Sequence, residues 1–287
     1  MTALTGSPRA GISPLLPAIE PADGGLTAAF AVTFPHAARS WSGMHGGVVV
    51  GTLLRAASRA TGRRPAAVTA HLHRAVEAGT AGIAMIERSS GRTVSSVSVR
   101  LDQGGRRASA SVLLSGADDH EATFWRSGRR DLSSLPAPEE IERLGGFEEV
   151  TPMAGHLDIR PLEDSRPFGG GDEPVLTAWV RLRPAPDYQP AVAAVLLDAL
   201  APSLYAVLST PAVIPTIEFT VHYSPARPSD EWFFIQQRTA WSTTALCVDE
   251  AELRTPDGTL VAHSRQLRRI LGTASGMPEE GPRGEHR

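Results

Sequence analysis

Most of the chain shows short stretches in which apolar and polar residues alternate, which is the two-residue period of a half-buried strand. Two apolar stretches of helical length interrupt this alternation, and Gly-containing turns separate the strand-like segments. The first part of the chain predicts a strand at 26–34, a helix at 46–61 that ends at Gly62, and strands at 66–76, 81–90, 93–103 and 106–116. The second part predicts strands at 154–162 and 175–183, a helix at 188–208, and strands at 213–225 and in three later segments.

The order of a strand, a helix and four long strands thus occurs twice. Thr69-Ala70-His71 matches Thr220-Val221-His222, and the turn at Gly104-Gly105 matches the turn at Asp257-Gly258. The offset of about 150 residues indicates two copies of a domain, because solenoid repeats run roughly 20 to 50 residues. One helix against mostly antiparallel strands predicts an α+β fold in which the sheet wraps the helix.

This pattern predicts five parts of the chain. Each part has its own composition and periodicity. They are an irregular N-terminal lead (1–25), an N-terminal repeat (26–116), a linker with one short helix (117–150), a C-terminal repeat (151–272) and a disordered tail (273–287).

Composition excludes several classes of protein. All 28 basic residues are Arg, so enzymes that need a Lys amine, such as Schiff-base, pyridoxal phosphate and P-loop enzymes, are ruled out. The net charge of -3 gives no overall attraction to nucleic acid or an anionic membrane. The single cysteine, Cys247, cannot form an intramolecular disulfide, and its apolar strand predicts a core residue.

Residues 1–25 are interrupted by Pro and Gly and lack the apolar core of a secretory signal. No stretch approaches the ~20 apolar residues of a membrane span. We therefore expect a cytoplasmic protein.

The second predicted helix is apolar nearly all round and carries one charge, Asp198. Such a helix is buried, and an unpaired buried carboxylate costs several kcal/mol at least. Asp198 must therefore be satisfied by neighbours or face a cleft that uses it. Thr216 opens the strand after this helix, and Gln266 lies on the last strand, on one face with Ala262 and Ser264. Alone, each of these two polar residues is ordinary.

Three segments resemble the double hotdog thioesterases of the acyl-CoA thioesterase II type and their actinobacterial relatives. They are HGGVVVGTLLRAA, PTIEFTVHYSP and DGTLVAHSRQLRRI, and the resemblance covers roughly residues 26–271. It implies a tandem hotdog fold and hydrolysis of acyl-CoA or a related acyl thioester, without metal or organic cofactor. In that family an Asp, a Thr or Ser and a Gln hold the hydrolytic water, and Asp198, Thr216 and Gln266 occupy those positions.

The resemblance suits the chemistry of these residue types. A thioester can be attacked by a positioned water when a carboxylate, here Asp198, takes the proton. Backbone N–H groups at a helix start, at Gly46 and Gly47 or before Gln189, are candidates to stabilise the oxyanion. His45, Gly46 and Gly47 are the predicted substrate-binding residues at the first helix, together with Arg55.

The arginines along and beyond that helix could meet the phosphates of coenzyme A, or could simply be solvated. They are Arg55, Arg59, Arg63 and Arg64.

Two alternatives stay open. One is a hotdog dehydratase, isomerase or cyclase on a thioester or polyketide-like intermediate, with His45 as the base. The other is a non-catalytic acyl-thioester binding protein. His71 and His73 face the same way on one strand, but two ligands do not make a metal site. The fused repeats already form a pseudo-dimer, so both a monomer and a homodimer are compatible with the sequence.

Overall fold

The computed structural model describes residues 13–23, 29–116, 128–162 and 165–272. The predicted tail (273–287), residues 1–12 and 24–25 of the predicted lead, and residues 117–127 of the predicted linker lie outside these ranges. In the described part of the chain, no helix is both long enough and apolar enough to cross a bilayer.

The first half builds eight strands and one long helix. In chain order they are β1 (Ile19–Ala22), β2 (Ala29–Phe34), β3 (Arg39–Ser40), β4 (Gly43–Met44), α1 (Gly46–Thr61), β5 (Arg64–Leu72), β6 (Gly79–Ser90), β7 (Val94–Asp102) and β8 (Arg106–Ser115). Helix α1 ends where predicted, because Gly62 takes the left-handed conformation, at φ 66°, that closes a helix C-terminus.

The second half repeats this order with six strands and a shorter helix. They are β9 (Leu157–Pro161), β10 (Val175–Leu182), α2 (Pro190–Leu197), β11 (Thr216–Tyr223), β12 (Phe233–Ser242), β13 (Leu246–Arg254) and β14 (Leu260–Arg269). Short 3-10 turns lie at His36–Ala38, Pro138–Glu140, Pro152–His156 and Ser203–Ala206.

Twelve strands form one antiparallel sheet in the order β1-β2-β6-β7-β8-β5-β11-β14-β13-β12-β10-β9. The halves join at β5 and β11, where Thr69 pairs with Thr220 and their hydroxyl oxygens lie 3.0 Å apart. Each joining strand has a register shift at the equivalent place, between Pro65 and Ala67 in β5 and between Thr216 and Glu218 in β11. A pseudo-twofold axis therefore passes between Thr69 and Thr220.

Both helices lie on the inner face of this sheet and pack against each other in antiparallel fashion. The α-carbon side of Gly47 faces the backbone of Ala194 and Val195, and Gly51 faces Ala191. A Cβ on Gly47 would lie 2.5 Å from the Ala194 carbonyl oxygen, so only glycine allows this approach. In β8, strict alternation directs Ala108, Ala110, Val112 and Leu114 to the inner face, where all four are buried.

Two segments differ from the prediction. The second helix, predicted over 188–208, ends at Leu197. It could not have continued to 208, because Pro202 has no N–H for the helix and disfavours the helical conformation in the residue before it. Part of the predicted irregular lead is ordered: β1 pairs with β2, and Leu15 and Leu16 are buried. Residues 13–18 run over α1.

Residues 128–150 of the predicted linker contain the short turn Pro138–Glu140 and pack on the outer face of the second half. Leu132 is buried there with Trp179 and Phe234. The Trp179 indole donates to the Pro136 carbonyl over 3.0 Å. The domain boundaries given above stay predictions.

Candidate functional site

Asp198 lies where the C-terminus of α2 is beside the N-terminus of α1. It is the residue directly after α2, and its side chain is only 9% exposed. The backbone N–H of Gly47, in the first turn of α1, donates to its Oδ2 over 2.8 Å. A carboxylate of the second half thus satisfies an N–H at the start of a helix of the first half, where the helix dipole favours negative charge.

The neighbouring Gly46 leaves room for this carboxylate. A Cβ at Gly46 would lie 2.9 Å from Asp198 Oδ2. The pair of glycines therefore serves two contacts: Gly47 lets the helices approach, and Gly46 lets the carboxylate reach the helix end.

His45 makes the second link between the halves. Its Nε2 lies 2.8 Å from the backbone carbonyl oxygen of Asp198, and its Nδ1 lies 3.5 Å from Asp198 Oδ2. A carbonyl can only accept, so Nε2 carries a proton. The Nδ1 atom is buried and makes no hydrogen bond in the described part of the chain.

Thr216 and Gln266 are joined directly. The Thr216 hydroxyl donates to Gln266 Oε1 over 2.7 Å. The Gln266 amide nitrogen lies 3.4 Å from the carbonyl oxygen of Leu197, the residue before Asp198. Gln266 is 1% exposed and shares its buried face with Ala262 and Ser264, as strand alternation predicts. The side chains of Thr216 and Gln266 therefore lie next to the end of α2.

Behind these groups lies a buried ion cluster. Arg268, 5% exposed, places Nε 2.8 Å from Asp249 Oδ2 and an Nη 3.8 Å from Asp198 Oδ1. Asp249 also accepts hydrogen bonds from the backbone and hydroxyl of Ser203 and from the Thr239 hydroxyl. One guanidinium thus offsets part of the charge of two buried carboxylates, and the hydrogen bonds stabilise Asp249 further, as a buried charge requires.

The structure brings together six of the seven predicted site residues. Asp198, Thr216 and Gln266 lie beside His45, Gly46 and Gly47. Arg55 is not with them. It lies eight residues beyond Gly47, roughly 12 Å along the helix axis, and donates to the Pro17 carbonyl over 2.7 Å. Its part in binding a substrate stays a prediction, as do the roles of the other six.

Neither the Gly47 N–H nor the Cys247 thiol is free for chemistry in this structure. Gly47 was a candidate oxyanion donor, yet its N–H is taken by Asp198. Cys247 is buried, and burial together with the nearby Asp249 raises the pKa of its thiol to about 11, so it is not a thiolate nucleophile near neutral pH.

Sequence reasoning missed Arg268 and Asp249. Both were detectable from strand alternation. Arg268 comes two residues after Gln266, and Asp249 alternates with Cys247 and Ala251, so each is directed into the core. A charge at such a position indicates a buried ion pair.

Comparison with solved structures defines the class to which this fold belongs. A conserved protein of unknown function with a hot dog fold from Alicyclobacillus acidocaldarius matches with a TM-score of 0.79 at 19% identity, over 90% of this chain and 97% of that one. A putative thioesterase II from Thermobifida fusca matches with a TM-score of 0.78 at 22% identity, over 91% of this chain and 99% of that one. The predicted α+β double hotdog fold is confirmed, with the polar cluster at the contact between its halves.

Sequence comparison then gives the family. Residues 37–115 match the acyl-CoA thioesterase N-terminal domain, and residues 129–270 match the acyl-CoA thioesterase C-terminal domain. An uncharacterised protein of Mycobacterium tuberculosis is 34% identical over 216 residues, which are 66% of this chain and 72% of that protein. The chain belongs to the acyl-CoA thioesterase family, as its sequence segments predicted.

Proposed function

We propose that this protein hydrolyses acyl-CoA, or a related acyl thioester, by direct attack of a water molecule held by Asp198, Thr216 and Gln266. The observation that carries this proposal is that a nearly buried carboxylate, directly after α2, and a hydrogen-bonded Thr–Gln pair lie at the same end of this helix. The surrounding groups prepare the carboxylate for this role, because the Gly47 N–H and Arg268 hold it in position.

The three side chains supply complementary hydrogen-bonding groups. A carboxylate oxygen of Asp198 accepts a hydrogen bond from one O–H group of the water. The Thr216 oxygen, whose own hydrogen is directed to Gln266, accepts a hydrogen bond from the other O–H group. A water held by two acceptors directs its own lone pair at the electrophile.

The reaction then proceeds in two steps. The water oxygen bonds to the thioester carbonyl carbon as Asp198 takes one water proton, which forms a tetrahedral oxyanion. The carbon–sulfur bond breaks as the carbonyl reforms, and the proton passes from Asp198 to the leaving sulfur. The products are a carboxylic acid and a free thiol, and Asp198 returns to its charged form.

A thiol-release screen tests this proposal. The protein is incubated with short, medium, long, branched and aromatic acyl-CoAs in ¹⁸O-enriched water, and free thiol and the acid are measured. Hydrolysis releases one thiol per acid, and direct attack by water puts one heavy oxygen in each acid. Binding of acyl-CoA without any thiol release across the panel would leave a non-catalytic acyl-thioester binding protein.

His45 supports a second candidate, a dehydratase, isomerase or cyclase acting on a thioester. Its Nδ1 is buried 3.5 Å from the Asp198 carboxylate, so an imidazole and a carboxylate stand ready to move a proton. Such a reaction leaves the thioester intact. A changed acyl group with no free thiol, lost in a His45→Gln variant, would favour this candidate over hydrolysis.

A further inference from the structure

A cavity lies at the end of the α1–α2 pair opposite the Asp198 site, and the pseudo-twofold axis relates the two places. Helices α1 and α2 begin in the same way, with His45 and Gln189 each accepting hydrogen bonds from the third and fourth residues that follow. His45 therefore corresponds to Gln189. By the same offset, Asp198 corresponds to Leu54, and the strand pairing makes Thr216 correspond to Pro65.

These counterparts line the cavity. Its volume is about 250 Å³. The lining residues are Ile19, Leu54, Arg55, Ser58, Arg59, Pro65, Gln189, Pro190 and Ala191. The pair Pro190–Ala191 takes the place of Gly46–Gly47. The cavity thus lies at the position equivalent to the Asp198 site. Leu54 takes the place of the acid there, and Pro65 takes the place of the hydroxyl residue.

Arg55 and Arg59 give this cavity a positive charge. In the part of the chain that the structure describes, the hydrogen-bond acceptors of both guanidiniums are backbone carbonyls, of Pro17 and of Ile19, and neither side chain forms an ion pair. Burial and the neighbouring Arg59 lower the pKa of Arg55. The N-terminus of α2 adds its positive dipole end, so the cavity favours an anion.

The remaining lining favours an apolar group. Five lining residues are apolar, namely Ile19, Leu54, Pro65, Pro190 and Ala191. The volume lies below the roughly 300–1,000 Å³ of sites for drug-sized ligands. A small molecule with one anionic end and a short apolar tail fits both the charge and the walls better than a bare inorganic anion.

The cavity is separate from the Asp198 site. Every residue of α1 from Gly47 to Leu54 is buried, and Leu16 lies against Gly51 in the middle of that stretch. The ordered segment at 13–18 thus covers α1 between the two ends. One ligand bound along α1 would have to displace this segment to reach both sites.

We propose that the cavity at Arg55 and Arg59 binds a short-chain carboxylate at a second, non-catalytic site. The carboxylate pairs with the two guanidiniums, and the alkyl tail lies against Leu54 and Pro65. Binding at this site does not require the hydrolysis proposed above.

Calorimetric titration with hexanoate tests this proposal, with 1-hexanol and inorganic phosphate as comparison ligands. The variants are the double replacement Arg55→Met with Arg59→Met, and Ser58→Leu, which fills the cavity while both cations stay. Arg74→Met is the matched control, because it removes one exposed arginine elsewhere. Asp198→Asn changes the proposed catalytic site but not the cavity, so it tests whether the ligand binds at the one or the other. Thermal unfolding of each variant checks that it folds.

Hexanoate should bind the wild-type, Arg74→Met and Asp198→Asn proteins with the same affinity. Hexanol and phosphate should each bind the wild-type protein more weakly than hexanoate does. Its affinity should fall at least about tenfold in the double Arg variant and in Ser58→Leu, since charge-assisted hydrogen bonds are lost or the space is filled. If the double variant does not fold, Ser58→Leu decides. Unchanged affinity in the cavity variants, loss of binding in Asp198→Asn, or phosphate binding as tightly as hexanoate would each overturn the proposal.

Discussion

The two ends of the α1–α2 pair share one backbone arrangement and carry opposite chemistry. At one end, Asp198 and Thr216 lie beside the start of α1. At the other end, Leu54 and Pro65 occupy the equivalent places beside the start of α2. The fold therefore supplies two similar positions, and the side chains decide which of them can perform acid–base chemistry.

The difference extends to the groups behind the site. The ladder that pairs Thr216 with Arg268 pairs Pro65 with Leu114, and the ladder that pairs Gln266 with Asp249 pairs Val112 with Val97. The residues that are equivalent to Arg268 and Asp249 of the ion cluster are thus apolar at the other end, where Leu114 and Val97 take their places. A buried charge is stable only with its partners, so the polar groups occur together or not at all.

The largest effect should follow replacement of the proposed base. Asp198→Asn should lower kcat/KM for thioester hydrolysis by about two to four orders of magnitude, the usual size of general-base effects. Leu54→Met, the matched change at the other end, should leave the rate nearly unchanged. Steady-state thiol release from both variants measures this contrast. Full activity in Asp198→Asn would remove Asp198 from the mechanism.

The next largest effect should be on stability. Arg268→Leu introduces the residue found at the equivalent position, Leu114, but leaves Asp249 buried without its cation. The free energy of unfolding should drop by about 3–5 kcal/mol, measured by urea denaturation. Adding Asp249→Val, the counterpart of Val97, should restore part of the loss. If the double variant is less stable than Arg268→Leu alone, the two side chains do not act as a pair.

The two close contacts between the helices, at Gly47 and at Gly51, should differ by a smaller amount in their effect on stability. Gly47→Ala puts a Cβ 2.5 Å from the Ala194 carbonyl oxygen, whereas a Cβ at Gly51 would lie 3.0 Å from the Ala191 carbonyl oxygen. Gly47→Ala should cost about 1–3 kcal/mol of stability, in the range of overpacked cores, and Gly51→Ala less. Denaturation midpoints of the two variants give the comparison. Equal losses would show that the two contacts are equally tight.

The smallest effect should come from the Thr216 hydroxyl. Thr216→Val removes the hydrogen bond to Gln266 and should lower kcat by up to about tenfold, the value of one neutral hydrogen bond. Thr216→Ser keeps the hydroxyl and should keep most of the rate. Measuring kcat for both variants in parallel tests this prediction. A Ser variant as slow as the Val variant would show that the rate depends on the methyl group of Thr216 rather than on its hydroxyl.

Local pattern predicted the strands, the first helix and the repeat, because two-residue alternation and the Gly62 stop signal are properties of short segments. It also placed Gln266 on one face with Ala262 and Ser264, and the structure shows that this face is buried. The end of α2 was missed because the apolar run continues past Asp198, whereas the helix ends at Leu197 and a separate 3-10 turn follows at Ser203–Ala206.

The contacts across the halves lay outside sequence reasoning. The hydrogen bond from Gly47 to Asp198 joins residues 151 positions apart. No local pattern encodes such a pairing, and the same holds for the contact between His45 and the Asp198 carbonyl. The cavity at Arg55 likewise combines residues from both halves of the chain.

The junction of β5 and β11 within one continuous chain has an evolutionary consequence. In an assembly of two identical subunits, one codon would have to specify both the acid and the leucine that here face opposite ends of the helix pair. Because each half has its own stretch of gene, mutations in one half are not copied into the other. The polypeptide can therefore keep a single reactive centre and let the twin position drift toward a different task.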